Sequence, residues 1–128
     1  MTSIMTPKSA LLLSAITMAA IDGDLDTNEI AIINRLDGFS ISGEWDLAIA
    51  VWESKQIDEC ITLIAQSLNE KQQRVAMANM IDIAMADGSF DEDENTLLRA
   101  YAGAFNVPDA DIEKIVDVIT IKNDKSIF

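Results

Sequence analysis

The chain has 128 residues, 49% hydrophobic and only 5% aromatic, with 22 acidic against 9 basic side chains and a formal net charge of −13. That length suits one domain with one core, the apolar content argues against disorder, and the acidic field disfavours phosphate backbones and anionic lipid surfaces as partners. With no histidine and a single cysteine, Cys60, the chain excludes Ser–His–Asp and Cys–His catalysis, histidine or multi-thiolate zinc sites, and an internal disulfide.

Ala, Ile, Leu and Met are frequent while Gly (5) and Pro (2) are scarce, a mixture that favours helices packed on helices. The first helix starts at Thr6-Pro7, with Thr6 as cap and Pro7 at the first helical position. It carries Leu11, Leu12, Ala15, Ile16 and Ala19 at helical spacing. The run Ala10 to Ile21 after Lys8 has some likeness to a signal peptide but is too short to span a bilayer. It also supplies the first helix of a repeat described below, so the expectation is a soluble, cytoplasmic chain.

A second helix is expected after Asp26, carrying Ile30, Ile33 and Leu36 and stopping at Gly38. A third begins near Ser42 with Trp45, Ala48, Ile49 and Trp52. The stripe Ile57, Cys60, Ile61, Ile64 follows, either as a separate helix or as the continuation of a bent one. Cys60 reads there as a small core residue. After a break at Asn69-Glu70, a long helix spans about Lys71 to Ala86. Another starts at Asp91 and carries Leu97, Leu98, Tyr101, Ala102 and Phe105; Asn106 and Pro108 punctuate the chain. The last carries Ile112, Ile115, Val116 and Ile119, with a frayed tail over 122–128. The expectation is an all-α bundle of about seven helices forming one domain over 1–128, its core about 8–119.

The most informative feature is an internal repeat. Residues 18–33, MAAIDGDLDTNEIAII, align without gaps on 83–98, IAMADGSFDEDENTLL. Asp22, Gly23, Leu25, Asp26 and Glu29 match Asp87, Gly88, Phe90, Asp91 and Glu94. The glycines permit a helix stop, and Leu25 and Phe90 are apolar plugs in polar turns. Asp26 with Glu29, and Asp91 with Glu94, have the spacing of an acidic capping box at the positive end of a helix dipole.

Capping alone explains the pattern. The alternative is capping plus a cation site, with candidate ligands Asp22, Asp24, Asp26, Glu29, Asp87, Asp91 and Glu94, an oxygen-rich set suited to Ca²⁺ or Mg²⁺. Neither turn is an EF-hand: the first two ligand positions would fall on Met18 and Ala20, or on Ile83 and Met85. A useful site therefore requires the two turns to converge and pool their carboxylates.

The stretches Ala19-Ala20-Ile21-Asp22-Gly23-Asp24-Leu25-Asp26 through Glu29 and Ala84-Met85-Ala86-Asp87-Gly88-Ser89-Phe90-Asp91 through Glu94, with Ala104-Phe105-Asn106-Val107 after them, resemble the bacterial TerB (tellurite-resistance) family. The helical domain at the N-terminus of the DjlA co-chaperone is similar. The resemblance covers roughly residues 8 to 119. It implies an all-α bundle whose two helical halves are related by a pseudo-twofold, and a binding or scaffold role in tellurite or stress resistance. It also implies acidic metal-binding surfaces and protein partners, including membrane-associated complexes, without catalysis.

Three function classes follow: a TerB-like, cation-responsive module; a metal-independent protein-interaction domain, for which Trp45, Trp52, Tyr101 and methionines could form an exposed groove, although an aromatic stripe at helical spacing is usually core; or an enzyme. The last is disfavoured. It lacks the Glu-x-x-His element of helical di-iron proteins, and Gly23 and Gly88 form no phosphate loop.

Overall fold

The computed structural model describes residues 5–21, 33, 35, 43–86 and 91–128. They form six named helices and no strand: α1 Pro7–Ala20, α2 Gly43–Ser54, α3 Ile57–Ser67, α4 Glu70–Ala84, α5 Glu92–Phe105 and α6 Asp109–Asn123. Of the helix expected after Asp26, only Ile33 and Arg35 are described; both are helical and Ile33 is buried. The other residues of that expected helix lie outside the described residues, and so do most of the first repeat copy and positions 87–90 of the second, on which the expected seventh helix and the pairing of the repeats depend.

Helix α1 begins as its sequence dictates. The Ser9 N–H donates to Thr6 Oγ1 at 3.2 Å, and the Ser9 hydroxyl donates to the Thr6 carbonyl at 2.8 Å. The amphipathic stripe expected for α1 understates its position. Every residue from Leu12 to Ala19 is buried, because α2, α3, α4 and α5 all pack on this one helix. A helix apolar on all sides belongs at the centre of a bundle, which accounts for the likeness of this stretch to a leader. No helix among the described residues is long and apolar enough to cross a membrane.

The polar residues of α1 are accommodated by back-bonding to its own carbonyls: Ser14 to Leu11 at 2.6 Å and Thr17 to Ser14 at 2.8 Å. Thr17 Oγ1 also lies 2.6 Å from the Tyr101 hydroxyl on α5, a buried hydrogen bond spanning the bundle. The one proton of the Thr17 hydroxyl goes to the Ser14 carbonyl, so Tyr101 is the donor.

The stretch 43–67 resolves into two helices, not one bent helix. The chain breaks at Lys55-Gln56, and the Gln56 N–H donates to Glu59 Oε1 at 3.4 Å. Helix α4 starts one residue before the expected Lys71. A capping box explains it: the Asn69 N–H donates to Gln72 Oε1 at 2.8 Å, and the Gln72 N–H to Asn69 Oδ1 at 2.9 Å.

Helix α5 ends at Asn106, whose φ of 55° is left-handed. The Val107 N–H reaches back to the Ala102 carbonyl at 3.0 Å and the Asn106 N–H to Gly103 at 3.4 Å, a Schellman closure. This tight reversal sends α6 along α4. Arg74 pairs with Asp111 and Lys122 with Asp82, both at 2.8 Å. These bridges join like ends, so α4 and α6 run in the same direction.

Lys122 therefore belongs to the ordered last turn of α6, which continues to Asn123, beyond the expected start of fraying. Ile112, Ile115, Val116 and Ile119 are partly buried against the core, as their spacing suggests.

Among the described residues, Trp45, Trp52, Tyr101 and the methionines pack as core side chains, the alternative to an exposed groove. Tyr101 is fully buried, Trp45 and Trp52 are half-buried against the core, and Met5, Met18, Met77, Met80 and Met85 are core residues.

Candidate functional site

The second acidic turn joins α4 to α5. Helix α4 closes with the Met85 N–H donating to the Ile81 carbonyl at 3.0 Å and the Ala86 N–H to Ile83 at 3.2 Å. Asp91 is extended, with φ −87° and ψ 176°, a backbone that turns its carboxylate onto the first turn of α5. Its Oδ1 accepts the Glu94 N–H at 2.7 Å, while Glu94 Oε1 accepts the Asp91 N–H at 3.0 Å. The reciprocal box anticipated from Asp91-x-x-Glu94 is thus present in full. Asp91 and Glu94 are two of the seven candidate ligands.

Exposure divides the acids of this turn. Asp91, Glu92 and Asp93 are exposed, whereas Glu94 is only 5% exposed. Sequence spacing gave Glu94 a capping role but no reason for burial. The burial follows from Leu97 and Leu98, which draw the adjoining turn of α5 onto the core. All four acids lie where the positive end of the α5 dipole stabilises negative charge. A carboxylate offers about four lone-pair positions, so a capping bond on one oxygen is chemically compatible with cation coordination by the same group.

Asp22, Asp24, Asp26, Glu29 and Asp87 lie outside the described residues. Among the described residues, no group of three or more acidic or thiol side chains is gathered closely enough to hold a metal ion. A cation site at the second turn would therefore need ligands from 87–90 or from the first turn.

Of two features away from the turn, one escaped the sequence reading and the other, Cys60 in the core, agrees with it. The Thr17–Tyr101 bond joins residues 84 positions apart, and no local pattern announces such a contact. Cys60 is fully buried, and burial with nearby Glu59 pushes its thiol pKa up. That favours the unreactive protonated form.

Comparison with protein families gives a match to the tellurite resistance protein TerB over residues 47–117. The matched span runs from α2 into α6 and includes the second acidic turn but not the first. Searches of curated proteins and of solved structures gave no match. The match takes in more than half of the 128 residues, and the helical bundle agrees with it: the chain belongs to the TerB family.

Proposed function

We propose that this chain is a non-enzymatic binding and scaffold module of a tellurite- or stress-resistance system, with its two Asp-Gly turns taking a divalent cation, Ca²⁺ or Mg²⁺. The observation that carries the reading is the second turn within the family match: a carboxylate pair locked at the head of α5, with Glu92 and Asp93 exposed beside it. Asp22, Asp24, Asp26, Glu29 and Asp87 supply the remaining candidate ligands. The partner of this reading is a protein, in the cytoplasm and at a membrane-associated complex, while the charge of −13 turns nucleic acid away.

Calorimetric titration of the full chain with Ca²⁺ and with Mg²⁺ tests the cation half. Weak but saturable binding is expected, near the extracellular-module range of about 10⁻⁴ to 10⁻³ M, and Asp22→Asn with Asp87→Asn should remove it. Flat traces from the unsubstituted chain would end the cation reading. A second reading, a protein-interaction domain independent of metal, is favoured by one observation: capping already accounts for the Asp91 and Glu94 geometry. Under it, a partner captured by the full chain stays bound in chelator.

A further inference from the structure

Among the six named helices, α6 alone has no fully buried side chain. Its inner row, Ile112, Ile115, Val116 and Ile119, is only partly buried, while Val118 and Ile121 are 63% and 75% exposed. Apolar stabilisation scales with the area removed from water, so a helix that hides no side chain completely is held weakly. Helix α1 is the opposite case. Four neighbours cover it, whereas α6 packs mainly on α4.

The remaining ties of α6 are polar and lie at the surface. Arg74–Asp111 holds its first turn and Lys122–Asp82 its last, with the two cationic side chains 44% and 50% exposed. The Asn123 side-chain amide adds a long bond of 3.4 Å to the Met85 carbonyl. Water and salt screen exposed ion pairs, each of which shifts an equilibrium by at most about fivefold. Just before α6 the chain is firmly fixed: Val107 is buried, and its N–H is tied to the Ala102 carbonyl at 3.0 Å.

We propose that α6 is a strap that undocks from α4 as one unit, pivoting at Val107-Pro108, while α1 to α5 stay folded. Local opening costs less than global unfolding where buried apolar contact is sparse. Opening uncovers the aliphatic row of α6 and the flank of α4 between Arg74 and Asp82, surfaces that the closed form shields. The two ion pairs are the latch that sets how often it opens. This inference does not rest on the cation reading.

The test is native-state amide hydrogen exchange of the isotope-labelled full chain, read by NMR at increasing sub-denaturing urea. Amides of Ile115 to Ile119 should exchange at least about tenfold faster than those of Leu13 to Thr17 in α1. They should share one opening free energy and one urea dependence, smaller than that of α1. Arg74→Gln and Asp82→Asn each remove one ion pair at a position that is not fully buried. Each should speed exchange across α6 by about two- to fivefold and leave α1 unchanged. Protection of α6 equal to that of α1 would overturn the proposal, since α6 would then open only with the whole bundle. So would exchange that lacks urea dependence or is graded inward from Asn123, which is local fluctuation or fraying. Substitutions that leave α6 unaffected, or that accelerate α1 equally, would overturn the latch and the strap with it.

Discussion

Removing Tyr101 and Thr17 in turn should give unequal losses of stability, because the two side chains stand differently toward their shared hydrogen bond. Thr17 spends its proton on the Ser14 carbonyl and accepts from the Tyr101 hydroxyl at 2.6 Å. In Tyr101→Phe, Thr17 keeps its bond to Ser14 and loses only an incoming one, a net cost of about 1 kcal/mol. In Thr17→Val, with nearly the same shape, the Tyr101 hydroxyl is left buried without its acceptor. An unsatisfied buried polar group costs about 1–3 kcal/mol, so this variant should be the less stable of the two. With both replaced, no orphan remains, and the double variant should lose clearly less than the sum of the singles. Urea unfolding followed by far-ultraviolet circular dichroism gives the three differences for a double-mutant cycle. Strict additivity, or Tyr101→Phe costing more than Thr17→Val, would refute the assignment of donor and acceptor.

Alkaline titration tests the same buried phenol. Burial pushes the Tyr101 pKa up. The folded chain therefore holds this proton after the unfolded chain has lost it. The contribution is fully present below the unfolded value of about 10 and lost as pH rises above it. Stability should fall more steeply there in the parent than in Tyr101→Phe. Cys60 should react slowly with an aromatic disulfide reagent in the folded chain and at the free-thiol rate in denaturant, since it is fully buried and its pKa is raised; rapid native labelling would contradict this. Asp91→Ala should cost about 1 kcal/mol in urea unfolding by removing the cap on α5, and an unchanged midpoint would mean that the box contributes nothing.

What could be read from residue order alone was local. Thr6-Pro7, the Asp91-to-Glu94 spacing and Asn106 specify where helices begin and end because caps are satisfied within a few residues of the chain. The spacing of Ile57, Cys60, Ile61 and Ile64 likewise gave the buried face of α3. One local signal was overlooked: Asn69 and Gln72 form a capping box that had been read only as a break.

Other features were settled by the tertiary structure, because they depend on which surfaces meet. The stretch Ala10 to Ile21 is apolar nearly all round, but which helices cover each of its faces is decided only by the packing of its four neighbours. Trp45, Trp52 and Tyr101 could have faced a partner until α1 was seen to occupy the centre they surround. The burial of Glu94 and the bridges from α4 to α6 join residues far apart in the chain. Hydrogen-bond spacing along a helix is repeated every turn and so is written in the sequence, whereas contact between helices is a property of the assembled bundle.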